Sequence, residues 1–171
     1  MQIEPIWKTW FAKHGAKLLL FARQQARNPA DAEDLVQEAF VRIWRLYGHT
    51  GEVPPALVFR AIRRLAIDWV RRDQSRGLRE QKAALDATVD TPWFERPVER
   101  SERHSLMEDA VRRLPSEQQA VVVLKIWGDQ TFEEIGKTLE ISMNTASSRY
   151  RYGLDKLRKR VPELLADETD R

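Results

Sequence analysis

Apolar residues recur at helical spacing from residue 4 to about residue 76. One stripe is formed by Leu35, Val36, Ala39, Phe40, Ile43 and Tyr47, with Glu33, Gln37, Glu38, Arg42 and Arg45 on the other faces. Asn28-Pro29 marks the start of this helix, because a proline at the first helical position gives up an N–H that has no partner there. Asp31, Glu33 and Asp34 follow, where the helix dipole favours negative charge. The run YGHTGEVPPA, with two glycines and two prolines, interrupts the periodicity and predicts a loop. A further helix is predicted from about Pro55 to Gln74, buried through Phe59, Ile62, Ala66 and Trp69. Its opposite face carries Arg60, Arg63, Arg64, Arg71 and Arg72. No segment here alternates with a period of two, so this half is expected to be wholly helical.

Between residues 77 and 105 the pattern is lost. Pro92 and Pro97 forbid a continuous helix and charges of both signs mix, which predicts a flexible linker with one helical turn near Gln81–Leu85. Periodicity returns at Ser105. SLMEDAVRRL and PSEQQAVVVLKIW read as two short helices, the second opened by a capping box of Ser116 and Gln119. TFEEIGKTLEI follows with a second box, Thr131 and Glu134. The fold class expected is all-α: two small helical domains, 1–76 and 106–161, joined by the linker 77–105 and followed by an acidic, frayed tail, 162–171.

Residues 131–157 fit a helix-turn-helix. Ile135 and Leu139 are core positions of its first helix, and Gly136 lies where a bulky side chain would hold the two helices apart. Glu140-Ile141 makes the turn, with Ile141 plugging inward, and Ser142 caps the second helix. Ala146, Tyr150, Leu154, Leu157 and Val161 form its buried stripe. Asn144, Thr145, Ser148, Arg149 and Arg151 then point outward near the N-terminus, the end that enters the major groove, where Asn and Arg make bidentate contacts to adenine and guanine edges. Lys156, Arg158, Lys159 and Arg160 lie too far along for the same bases and suit phosphates or water. A basic-ended helix that merely complements its own dipole is the plainer alternative, and the capped first helix and short turn argue against it.

Charge alone decides little: 29 Lys+Arg against 26 Asp+Glu leaves a net +3, too weak to argue for nucleic acid without its distribution. The absence of cysteine excludes disulfides, thiol nucleophiles, thiolate metal sites and a thiol redox switch. His14, His49 and His104 stand far apart without ligand spacing, and no Gly-rich phosphate loop or nucleophile elbow is present. No enzyme, metal or cofactor is therefore expected. No run approaches the roughly 18 apolar residues of a membrane span, and no signal peptide is recognisable, so a cytoplasmic location without membrane insertion is expected.

DAEDLVQEAFVRIWR (31–45), RAIRRLAIDWVRR (60–72) and the stretch from LPSEQQ to KLRKR (114–160) together resemble the bacterial RNA polymerase sigma factors, in particular the short extracytoplasmic-function class. The resemblance covers both helical domains in order, with the linker where that family has one. It implies a promoter-specificity subunit that binds core RNA polymerase at its clamp and flap and promoter DNA in double- and single-stranded form. An anti-sigma factor is implied as a further partner. The first domain would engage the −10 element and the second the −35 element. On this sequence Asp34, Gln37, Glu38 and Arg42 match the polymerase-binding face. Arg60, Arg63, Arg64, Arg71 and Arg72 match the basic face near the −10 DNA, with pairing to Asp68 or Asp73 as the structural alternative for Arg71 or Arg72. Tyr47 or His49, in the segment matching a flipped-base pocket, could stack on a base, although Tyr47 also fits its helix's core stripe. Arg64 stands where many relatives carry Asn, Ser147 and Tyr152 at positions often basic, and Glu140 in place of a turn glycine. Ser147 is kept in the −35 set, but no base preference follows. A stand-alone helix-turn-helix regulator that binds operators without polymerase would explain 114–160 and leave the first domain's motifs without a role.

Overall fold

The computed structural model describes residues 4–51, 53–76, 107 and 109–169, with the backbone alone for 4, 5, 76, 161 and 163–169. The linker, its expected turn near Gln81–Leu85 and the Val161 side chain lie outside the described residues. All regular structure among the described residues is helical. The chain divides into two compact units, Met1–Pro92 and Trp93–Arg171.

The first unit packs α1 (Glu4–Gln25), α2 (Pro29–Tyr47) and α3 (Pro55–Arg76) against one another, with a single 3-10 turn at Gly48–Thr50. The start of α2 follows from local chemistry. Asn28 is extended, its Oδ1 accepts from the Asp31 N–H at 2.8 Å, and Pro29 occupies the first turn. The core is built by Leu18 and Phe21 of α1, Leu35, Val36 and Ala39 of α2, and Val58, Phe59, Ile62 and Leu65 of α3. Phe21 meets Phe59 edge-on at 5.6 Å. Trp10 donates its indole N–H to the Val53 carbonyl at 2.8 Å, tying α1 to the segment that leads into α3.

Two expectations shift here. Tyr47 leaves the core stripe: burial falls along α2, from Leu35 at 1% exposed to Tyr47 at 39%, as the helix runs past the layer that covers it. Trp44, packed on Phe40 at 5.5 Å, closes the core at that end instead. On α3, Val58 and Leu65 are as deeply buried as Phe59 and Ile62, whereas Trp69 is only half-buried.

In the second unit residues 109–112 are helical, and α4 (Ser116–Ile126), α5 (Phe132–Leu139) and α6 (Met143–Thr169) follow. Both α4 and α5 pack on α6 and on each other. Val121, Val122 and Leu124 of α4, Ile135 of α5, and Ala146 and Leu157 of α6 make the core. The capping box expected at Ser116 and Gln119 does not form. Pro115 is the N-cap residue, its carbonyl accepting from the Gln118 and Gln119 N–H groups at 2.9 Å. Ser116 thus stands one residue too late to cap, and the Gln119 amide donates instead to the Val111 carbonyl at 3.1 Å. The acidic tail also departs from expectation, since α6 continues through Pro162 to Thr169. Beyond the proline the sequence ELLADE is composed mainly of good helix formers.

Candidate nucleic-acid interface

The helix-turn-helix is assembled from short-range bonds that the sequence encodes. At the start of α5 the Thr131 hydroxyl accepts from the Glu134 N–H at 3.2 Å, and the Glu134 carboxylate accepts from the Thr131 N–H at 2.8 Å. On α5, Glu133 pairs with Lys137 at 2.8 Å, and the hydrogen bond and charge of that ammonium hold the Glu133 carboxyl below the usual carboxylate range. Glu140 ends the helix in the left-handed region, φ 57° and ψ 44°, and the Ile141 N–H closes back on the Gly136 carbonyl at 3.0 Å. Gly136 serves the turn and also the helix–helix spacing that its position implied, since a Cβ there would stand 3.5 Å from the backbone N of Met143, the first residue of α6. A Cβ there would lie 2.7 Å from the Ile141 carbonyl oxygen. Ser142 then caps α6, its Oγ accepting from the Thr145 N–H at 3.0 Å.

The second helix of the motif, α6, is held by α4 and α5. Tyr150 meets Phe132 edge-on at 5.5 Å, and Lys125 of α4 lies 4.8 Å over the Phe132 ring. At Gly153, which is buried, α6 lies close against α4: a Cβ there would stand 2.8 Å from Val122 Cγ2. Gly153 falls on the stripe of Ala146, Tyr150 and Leu157, but the sequence did not show what it packs against. Its role appears only once α4 lies across it.

The outward residues of α6 fall into two groups. Asn144, Ser147 and Arg151 are exposed. Asn144 and Arg151 lie two helical turns apart, with Ser147 between them, along one side of the helix. Thr145, Ser148 and Arg149 are half-buried and already bonded. The Thr145 hydroxyl lies 2.8 Å from Ser142 Oγ, and Ser148 Oγ donates to the Asn144 carbonyl at 2.9 Å. Arg149 Nη2 lies 3.0 Å from Glu117 Oε2 on α4. Arg151 stacks by its neighbour Tyr152 at 5.4 Å, and Tyr152, outside the expected set, is 55% exposed beside it. In the basic run, Lys156, Arg158 and Lys159 face solvent. Arg160, expected there too, donates from Nη1 to the Arg113 carbonyl at 3.1 Å and so caps the short helix before Pro115.

In the first unit, Asp34, Gln37 and Arg42 are exposed on α2, and the Arg42 guanidinium bonds the half-buried Glu38 one turn earlier. The same surface carries Val41 at 44% exposure and Leu46 at 62%. Sequence reasoning passed over both. Their signal was an apolar side chain off the stripe of an otherwise amphipathic helix. Tyr47 and His49 are exposed at the 3-10 turn. The arginines of α3 do not form one equivalent row. Arg64, Arg71 and Arg72 are exposed, whereas Arg60 and Arg63 are half-buried and Arg63 bonds Gln25 of α1. Asp73 pairs with Arg27 at 2.7 Å, an acceptor that the sequence had offered to Arg71 or Arg72.

Among the described residues no group of acids and histidines could hold a metal ion, and no helix is long and apolar enough to cross a membrane. Residues 10–76 match sigma-70 region 2, and residues 110–159 match sigma-70 region 4. Over 166 residues the chain is 33% identical to the RNA polymerase sigma factor CarQ of Myxococcus xanthus, covering 90% of this chain and 88% of that one. It is 31% identical over 160 residues to the ECF RNA polymerase sigma factor SigE of Mycolicibacterium smegmatis. That match takes in 90% of this chain, which spans 61% of SigE. The fold is similar to that of the sigma factor RpoE, solved in complex with the anti-sigma factor NepR from Bartonella quintana. The TM-score is 0.64 at 18% identity, covering 90% of this chain and 94% of that one.

Proposed function

This chain belongs to the sigma-70 family of bacterial RNA polymerase sigma factors, in its extracytoplasmic-function class, and from that premise we propose how its two units divide promoter recognition. The chain binds core RNA polymerase and directs it to promoters, supplying specificity while the polymerase supplies the chemistry of RNA synthesis. Residues 1–76, within the first unit, serve the polymerase clamp and the −10 element, residues 106–161, within the second, serve the flap and the −35 element, and residues 77–105 link them.

The observation that carries this reading is the pair of independent motifs, in order, on one chain: the region 2 helices and a capped helix-turn-helix. In the second unit the N-terminal side of α6 enters the major groove, with Asn144, Ser147 and Arg151 free to meet base edges. Thr145, Ser148 and Arg149 form the braced margin of the same surface. In the first unit the exposed Arg64, Arg71 and Arg72 suit a phosphate backbone and, once strands part, a single strand. Arg60 and Arg63 reach that DNA only in part, because their stems are packed. The exposure of Tyr47 and His49 supports a stacking role on an extruded base.

Asp34, Gln37, Glu38 and Arg42 form the polymerase-binding face, to which Val41 and Leu46 add apolar area. Such a mixed face is also what an anti-sigma factor would cover, and the complex of RpoE with NepR supports that second partner here. A cytoplasmic location follows from this role. Gel filtration of the purified chain with core polymerase tests the reading. Co-elution and promoter-dependent transcription are expected. A chain that stays separate from polymerase yet footprints an operator alone is a stand-alone regulator.

A further inference from the structure

The α6 face assigned to the −35 element includes one arginine that is not free. Arg149 keeps 27% of its side chain exposed, and its Nη2 is held 3.0 Å from Oε2 of Glu117, which is 67% exposed on the first turn of α4. The helix dipole of α4 favours a negative charge at that position. The pair bridges two helices, and the arginine is its more buried member. It also leaves most of the guanidinium uncommitted. Arg has five N–H donors in a planar fork, and one carboxylate oxygen lies against Nη2 alone. The neighbouring polar groups are braced in the same way, Thr145 by the cap and Ser148 by the helix backbone.

A carboxylate on a surface that meets DNA has a cost, since it repels phosphates on every sequence equally. Its placement beside a half-buried arginine is explained if it holds the fork in one rotamer. From this geometry we infer that Glu117 is a positioning residue for specificity. It fixes Arg149 so that the free side of the guanidinium meets one base edge. The inference rests on the assignment of this face of α6 to the −35 element.

The test uses the full chain in holoenzyme. Binding is measured on a promoter selected from a library and on the same promoter with single substitutions across its −35 element. Glu117→Gln should lower discrimination at one position by about two- to fivefold, the scale of an exposed charged pair. It should also raise binding to non-specific DNA and steepen its salt dependence. Glu117→Asp should retain discrimination, and Glu117→Gln should have no further effect on discrimination once Arg149→Ala is present. Unchanged discrimination in Glu117→Gln, or a loss that persists in the Arg149→Ala background, overturns the positioning role. Discrimination that survives Arg149→Ala at every position instead removes Arg149 from the base-reading set, which is a failure of the assignment itself. A pair that only braces the fold would change the melting temperature and leave discrimination untouched.

Discussion

Replacing Glu140 with glycine should stabilise the second unit. Glu140 holds φ at 57° and ψ at 44°, where an L-residue's Cβ crowds the following carbonyl at a cost of about 1–2 kcal/mol. Its carboxylate also sits at the negative end of α5, and removing it relieves about 0.3 kcal/mol, the low end for an exposed site. Glycine adopts this conformation freely, but its unfolded chain is more mobile, which offsets roughly 0.5–1 kcal/mol. Taken at mid-range, these contributions leave a net gain of about 1 kcal/mol. Asparagine tolerates the left-handed region with less loss to the unfolded state, so Glu140→Asn should match or exceed the glycine variant. For a unit of this size the gain raises the melting temperature by roughly 4–8 °C. Hydrogen exchange provides a local check: amides of α5 and α6 that exchange through unfolding of the unit should gain about fivefold in protection. Promoter selectivity should not change, because Glu140 lies outside the reading face. A Glu140→Gly variant that melts lower than the parent would refute the reasoning, since it would mean the carboxylate contributes more than the strained backbone costs.

Gly153→Val should destabilise the same unit by about 1–3 kcal/mol in a urea melt, because its Cβ would stand 2.8 Å from Val122 Cγ2 and α6 would be pushed from α4. An unchanged midpoint would show that the two helices are not in close contact there. Asp34→Arg, on the exposed face of α2, should abolish co-elution with core polymerase while leaving the melting curve intact. Normal co-elution would remove Asp34 from that face. Asn144→Ala should cost about 1–3 kcal/mol of discrimination at one −35 position if its amide reads a base edge. A uniform loss over all sequences would mark a phosphate contact instead.

What could be read from the sequence was mostly local. The caps at Asn28, Thr131 and Ser142 depend on bonds spanning three residues, so their chemistry was visible in the residue order. Ser116 shows the limit of that approach: Pro115 took the cap position, and a box shifted by one residue is no box. The partners of Arg149, Arg160 and Arg63 could not be read, because Glu117, the Arg113 carbonyl and Gln25 reach them only through tertiary packing. Periodicity described each helix face as uniform. The structure makes the arginines of α3 unequal, because two have packed stems, and brings Tyr47 out of its stripe, because α2 outruns its cover.

The central claim is that this chain directs RNA polymerase to promoters through two separate units. Run-off transcription by core polymerase and the purified chain, over a library randomised at both elements, tests it most directly. The account predicts transcripts only when the chain is present, from templates that share two sequence elements. Asn144→Ala should alter preference in the upstream element alone, and Arg64→Ala should weaken use of the downstream one. Transcription that the chain does not change, or selected templates with a single element, would contradict it.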